Sequence, residues 1–243
     1  MMLGVLGGMG PLAGAQFCAR LTLLTPAARD QDHIPFMLWS DPTVPDRTAA
    51  RLGNGPDPLP ALLRGLRGLE AAGARAIAIP CNTAHGWFDA MQAACPLPIL
   101  HIVDAAAADL ARQGVRPGRI GLLATEGTLA MRLYQQRLEA AGWEVLAPAP
   151  GVMTGCVSPA IEAVKAGRPE AATARLAEAA AGLVAQGATA VVLGCTEIPL
   201  GLPEGAARSA VGVPVVDTID ALARAAIAWA CLQSTVRTQS GIQ

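Results

Sequence analysis

The chain has 243 residues, enough for one large or two small domains. A formal net charge of −1 without a basic stripe argues against a nucleic-acid partner, and no apolar run reaches membrane-spanning length. Hydrophobic residues make up 52% but aromatics only 3%, the composition of an alanine-rich α/β protein.

The elements follow in chain order. Leu3 to Leu6 is a first buried strand, and Gly7-Gly8-Met9-Gly10-Pro11 is the turn after it. Pro11 suits the first turn of a helix that runs to about Thr25. Phe36 to Trp39 is a second strand, followed by a loop from Ser40 to Thr48. Another loop over Pro56–Pro60 leads into a helix over Leu62–Ala72, with Leu62, Leu63, Leu66 and Leu69 at helical spacing. The run up to Ile79-Pro80-Cys81 reads as a buried parallel strand, with Asn82 and Thr83 starting a helix. The strand at Ile99 follows, then a helix over about Ala105–Gln113.

Ile120 opens a second series. Its first turn is Ala124–Thr128, and a helix is expected to continue to about Ala141. Glu144–Leu146 is a short strand, Pro148–Pro159 reads as a loop, and Ile161–Ala166 begins a helix carrying Lys165. Gly167-Arg168-Pro169 breaks that helix, and Glu170–Gln186 forms a long alanine-rich one. The run into Gly194-Cys195 is a buried strand, Val213–Val216 the last strand, and Ile219–Leu232 a closing helix. The polar stretch 233–243 is expected to be a flexible tail.

The two series repeat. Gly73–Cys81 aligns with Gly187–Cys195 without a gap, at an offset of 114. Pro98–Ala105 matches Pro214–Ala221 at 116, and Gly4–Gly7 matches Gly121–Ala124 at 117. Three ordered matches at nearly one offset indicate an internal duplication. The expected architecture is α/β, with two pseudo-symmetric three-layer domains of mainly parallel sheets and an active site in the cleft between them. Cys81 and Cys195 then sit at strand C-termini, where open α/β sheets bind ligands. A helix N-terminus beside each thiol favours thiolate.

Paired thiols from two pseudo-symmetric halves suit proton transfer at one carbon. One takes the α-proton of an amino acid and the other reprotonates the opposite face, which inverts its configuration. A thiol fits because its ordinary pKa of about 8.5 can be tuned towards neutrality. Hydrogen bonds and fixed dipoles can stabilise the carbanion, so no PLP or other cofactor is expected. The other reading is that both cysteines are small buried hydrophobes. The remaining cysteines, Cys18, Cys95, Cys156 and Cys231, read as packing residues. Without a CxxC pair they argue against a zinc site or a disulfide scaffold, and free thiols behind no export signal suggest a cytoplasmic protein.

Of 18 basic residues only Lys165 is lysine. It is either a stray surface residue in an arginine-biased chain or an ammonium kept where a compact charge is needed. His85 reads as a residue that caps or orients the Cys81 loop, His101 as a supporting residue at a strand end, and His33 as a surface residue. Asp41 and Asp46 read as turn-formers.

Together, Gly-Gly-Met-Gly-Pro (7–11), Pro-Asp-Arg-Thr (45–48), Pro-Cys-Asn-Thr-Ala-His (80–85), Thr-Glu-Gly-Thr (125–128), Gly-Cys-Thr-Glu (194–197) and Asp-Thr (217–218) resemble the aspartate/glutamate racemase family, PLP-independent enzymes, and most of all its aspartate branch. The resemblance runs from Leu3 to about Leu232. It implies Cys81 and Cys195 as catalytic acid/base residues, Arg47 as a carboxylate-binding fork and Lys165 as a substrate-binding residue. It implies Asn82, Thr83, Thr125 and Thr196 as hydrogen-bond donors to the α-carboxylate, and Glu197 as the group that orients the substrate amine or the Cys195 loop. It also implies a homodimer whose last strand and helix return to the first domain. The expected boundaries are therefore 1–98 plus 208–232 for the N-terminal domain and 99–207 for the second.

The substrate implied is a dicarboxylic amino acid, aspartate before glutamate. A broad-specificity amino-acid racemase and a maleate isomerase-like enzyme on the same scaffold are the alternatives. A distant rival is a Rossmann-type dinucleotide-binding protein, because Gly8-Met9-Gly10-Pro11-Leu12-Ala13 fits G-x-G-x-x-A. No ribose-binding acid ends the Phe36 strand, and that reading leaves the paired cysteine motifs unexplained.

Overall fold

The computed structural model describes residues 1–240, with the backbone alone for 234–240. The first half contains β1 (Met2–Gly7), α1 (Pro11–Leu24), β2 (Phe36–Ser40), α2 (Arg47–Arg51), α3 (Leu59–Ala71), β3 (Ala74–Ala78), α4 (Phe88–Ala94), β4 (Ile99–Leu100) and α5 (Ile102–Arg112). The second contains β5 (Arg119–Ala124), α6 (Glu126–Ala130), α7 (Leu133–Leu138), β6 (Glu144–Leu146), α8 (Pro150–Val152), α9 (Ser158–Lys165), α10 (Thr173–Ala185), β7 (Val191–Gly194), α11 (Ile198–Gly201), α12 (Ala206–Ser209), β8 (Val215–Asp217) and α13 (Thr218–Ser240).

Every strand pairing is parallel. The sheets run β2-β1-β3-β4 and β6-β5-β7-β8, so the two halves share one topology. The sequence repeat thus has a spatial counterpart: β1 corresponds to β5, β3 to β7 and β4 to β8. Apart from the exposed Arg75 in β3 and Arg119 at the start of β5, the central strands are apolar because helices cover both faces, as parallel sheets require. Leu3, Val5, Ile77, Leu122, Val192 and Val216 are all fully buried.

The core has three parts. One lies between the sheets and joins residues of both halves, including Val5, Phe17, Ile102, Leu122, Tyr134, Val192 and Leu222. The others lie on the outer faces, under α3 and α4 in the first half and under α9 and α10 in the second. The shared middle core holds the halves against each other. α13 packs on α1 and α5 there.

Sheet membership departs from the expected domain boundaries at two places. β4 at Ile99–Leu100 pairs with β3 and so belongs to the first sheet. β8 pairs with β7 and stays in the second sheet, so only the helix after it crosses to α1. Each of these edge strands completes the sheet of its own half. α13 continues to Ser240, past the expected end at Leu232; the last residues of the expected tail, 241–243, lie outside the described residues.

Three local expectations are revised. Pro148–Pro159 is not an open loop: α8, a π-turn over Met153–Val157 and α9 make one helical stretch. Pro150 opens the stretch, where a missing N–H costs nothing, and Pro159 follows directly on the π-turn. The helix after Thr125 is cut at Arg132, whose φ is 51°. Cys81 lies beyond the end of β3, after Ile79-Pro80, and a 3₁₀ turn over Thr83–Trp87, not an α-helix, follows it.

Candidate active site

Each half contributes the turn after its β3-type strand. Cys81 and Cys195 are buried, at 5% and 4% exposure, and both line one cavity of about 280 Å³ between the sheets. All the site residues expected from sequence line it: Arg47, Cys81, Asn82, Thr83, Thr125, Lys165, Cys195, Thr196 and Glu197.

Hydrogen bonds across the halves fix the cavity walls. Thr196 Oγ1 donates to the carbonyl of Pro80 at 3.2 Å, so the second cysteine turn is tied to the first. Asn82 Nδ2 donates to Thr218 Oγ1 at 3.1 Å, and Thr218 Oγ1 donates to the carbonyl of Leu193 at 2.7 Å. The hydroxyl of Tyr134 donates to Asn82 Oδ1 at 2.6 Å from a fully buried position. Thr83 Oγ1 meets Thr125 Oγ1 at 2.9 Å and Thr128 Oγ1 at 3.0 Å. Gly127 permits this approach. A Cβ there would stand 2.9 Å from Thr48 Cα and 3.1 Å from Thr83 Cγ2.

Glu197 is 5% exposed and spans the two halves. Its Oε2 accepts from Cys195 Sγ at 3.0 Å, and its Oε1 accepts the Gly10 N–H at 3.0 Å. Burial, and then the charge of Glu197, push the Cys195 thiol well above its ordinary value. This corrects the expectation that a helix N-terminus makes this group a thiolate. α11 is a single short turn, and burial, followed by the adjacent carboxylate, outweighs its dipole. The Gly10 N–H, which a phosphate-cradling loop would need free, is taken by Glu197.

Arg47 opens α2, whose N-cap is Asp46, accepting from Ala49 N at 2.7 Å. The guanidinium is largely engaged with backbone. Nη1 donates to the carbonyls of Val44 and Pro45, and Nη2 to that of Met9 at 3.2 Å. Its Nε is buried and has no partner among the described residues.

Lys165, the last residue of α9, is exposed at the mouth. There the cavity continues into a hollow of about 570 Å³ lined by Asp46, Glu126, Ser158 and Glu162. Burial pushes the Asp46 carboxyl up, but the Ala49 amide and the charges of Lys165 and Arg47 win and hold it below its usual range.

Sequence reasoning missed Met9, Asp46 and Thr48 as cavity lining, and Thr128 and Tyr134 as supports. Met9 and Asp46 had a signal, since each sits inside a singled-out motif. Tyr134 had none: it lies in an ordinary amphipathic helix. His85 does orient the Cys81 turn, with Nδ1 donating to the carbonyl of Cys81 at 2.9 Å. His101 is the N-cap of α5, its Nδ1 accepting from Val103 N at 3.1 Å. Among the described residues no cluster of three metal-ligating side chains exists, and no helix is long and apolar enough to cross a membrane.

Comparison with known proteins identifies relatives of this sequence and fold. The solved aspartate racemase of Picrophilus torridus superposes with a TM-score of 0.82 at 31% identity, covering 94% of both chains. A broad-specificity amino-acid racemase of Bacillus subtilis is 32% identical over 60% of this chain and 63% of its own length. A glutamate racemase of Deinococcus radiodurans is 33% identical over 70% of this chain and 53% of its own. The chain therefore spans less than two thirds of these two curated relatives. The Asp/Glu/hydantoin racemase model matches residues 6–226, and the chain belongs to that family.

Proposed function

We propose that this protein racemises an amino acid without a cofactor, by proton transfer between two cysteines on opposite faces of the α-carbon. The observation that carries this reading is the pair of buried sulfurs, one from each half, lining one cavity with the polar residues that the family resemblance assigns to substrate. Cys195 is the thiol, held by Glu197. Cys81 is then left to act as base for one hand of the substrate, its sulfur taking the α-proton while Cys195 gives its own to the other face. For the opposite hand the roles exchange.

Asn82, Thr83 and Thr125 surround the cavity with donors for the α-carboxylate, whose charge grows as the carbanion forms, while the Thr196 hydroxyl, engaged with the Pro80 carbonyl, shapes the wall between the two cysteine turns. Glu197 orients Cys195 and offers the substrate ammonium an acceptor. Arg47 and Lys165 supply positive charge from two sides, which favours a dicarboxylate, with aspartate the first to test and glutamate next. One observation favours a broader set: the cavity is not closed beyond Lys165 but continues into a hollow able to take a longer side chain. The working form is proposed to be a cytoplasmic homodimer.

The experiment is incubation of each L-amino acid in heavy water with the purified chain and no added cofactor. Aspartate should exchange its α-hydrogen and yield the D form. Exchange of no amino acid would remove the racemase reading, and exchange of many at similar rates would replace the dicarboxylate with the broader set.

A further inference from the structure

A second cavity, of about 530 Å³, lies behind the Cys81 turn. His101 is 7% exposed, so it is more than nine-tenths buried, and it lines this space. Val103 N–H donates to His101 Nδ1, so Nδ1 carries the lone pair and the ring proton is on Nε2. No partner for that Nε2–H occurs among the described residues. Two guanidinium groups, Arg51 and Arg137, line the same space, with Gln136 adding an amide. Arg137 lies over the Phe88 ring at 5.3 Å, which fixes its plane, and Asp104 holds only its Nη1. Asp89 is the one carboxylate in the lining.

The cavity touches the candidate active site through two connections. His85 forms part of its wall and donates from Nδ1 to the Cys81 carbonyl, while Ile102 N–H donates to His85 Nε2. Arg51 lies in the last turn of α2, the helix that begins with Arg47. An occupant between Arg51 and His101 would therefore press on the Cys81 turn and on the Arg47 helix together.

We infer that this cavity is a binding site for a small oxyanion, a phosphate or carboxylate group, which accepts from His101 Nε2–H and pairs with Arg51 and Arg137, and whose binding changes the reactivity of Cys81. Asp89 in the lining and Asp104 on Arg137 balance the two cations, so an oxyanion is favoured by donor geometry and not by net charge: Arg51, the Arg137 N–H groups that Asp104 leaves over and His101 Nε2–H all border one space, and a planar guanidinium matches an oxyanion's edge. This site is separate from the racemase reading and does not require it.

The test uses the full chain and two probes, inorganic phosphate and acetate, at fixed ionic strength. The ¹⁵N signals of its three histidines are followed during titration. In parallel, the rate of iodoacetamide labelling at Cys81 is read by peptide mass spectrometry. Saturable movement of the His101 Nε2 signal, with a changed Cys81 labelling rate, is expected. Arg51→Gln should weaken the response about tenfold or more, as expected for one charge-assisted contact. His101→Asn keeps an acceptor for Val103 N–H, so α5 retains its cap; in that variant the probe should no longer alter Cys81 labelling. Lys165→Gln separates binding at the front cavity, and the response should survive it. A response to phosphate alone assigns the site to phosphate groups, and a response to acetate extends it to carboxylates. No saturable movement with either probe, a response lost in Lys165→Gln but kept in Arg51→Gln, or binding that leaves Cys81 labelling unchanged would overturn the inference.

Discussion

Cys195 and Glu197 form a buried donor–acceptor pair, Sγ to Oε2 at 3.0 Å, and the other carboxylate oxygen is held by Gly10 of the opposite half. The pair fixes a proton on one of the two sulfurs before any substrate arrives. Iodoacetamide at neutral pH should therefore modify Cys195 slowly in the unliganded protein. Glu197→Gln removes a nearby negative charge, so Cys195 labelling should accelerate while racemisation falls. Peptide mapping after timed labelling checks this, and an unchanged Cys195 rate in the variant would separate the carboxylate from the thiol.

Cys81→Ala and Cys195→Ala should each reduce racemisation by at least the ~10²–10⁴-fold typical of a lost acid or base. Stability should change by only about 1 kcal/mol, since one buried heavy atom is removed. Circular dichroism and denaturant unfolding provide the control. Full activity in either variant would count against the two-sulfur mechanism.

Lys165→Gln should raise KM for aspartate and glutamate well above any change for alanine. Lys165 is exposed at the mouth, so screening limits the effect to about 1 kcal/mol, roughly a fivefold change. Steady-state kinetics with the three amino acids measure it. Equal loss for all of them would place the residue in structural support.

Tyr134→Phe keeps the buried ring but leaves Asn82 Oδ1 without its donor. The expected cost is about 1–3 kcal/mol of stability, together with a higher KM as Asn82 loses its orientation. Urea midpoints and initial rates report the two effects separately.

Stability should fall in mild acid because of His85. Burial lowers its pKa from 6.5 to about 4, and both ring nitrogens are engaged in the neutral tautomer. The unfolded chain therefore takes up the proton first. The contribution is complete above about pH 6.5 and is lost as pH falls towards 4. His101, lowered by burial to about 2, acts in the same direction over a wider range. Asp41 and Asp46, held below 3.8, add their losses only further down. A urea midpoint that stayed level across that window would show that neither ring is held neutral by the fold.

The repeat at offsets of 114 to 117 residues was legible without coordinates, and so were the strands that end near Cys81 and Cys195. Both are written locally, in apolar runs bounded by Gly, Pro and cap-forming residues, which act over a few neighbours. The helical path through Pro150–Lys165 was not, because Gly151, Gly155 and Pro159 resemble loop punctuation until packing against the second sheet offsets their cost. Composition likewise left Lys165 as either a stray charge or a functional one. Only the approach of α9 to α2 brings it beside Asp46 and the cavity mouth.

The chain alone determined its family, its two-fold plan and the sulfurs to examine, since these depend on order and spacing along the backbone. The tertiary structure decided what each sulfur meets. Glu197 reaches Gly10, Tyr134 reaches Asn82 and Thr196 reaches Pro80 across more than fifty positions of sequence in every case. Such pairings follow from how the shared middle core seats one sheet against the other, and no short stretch of residues encodes that.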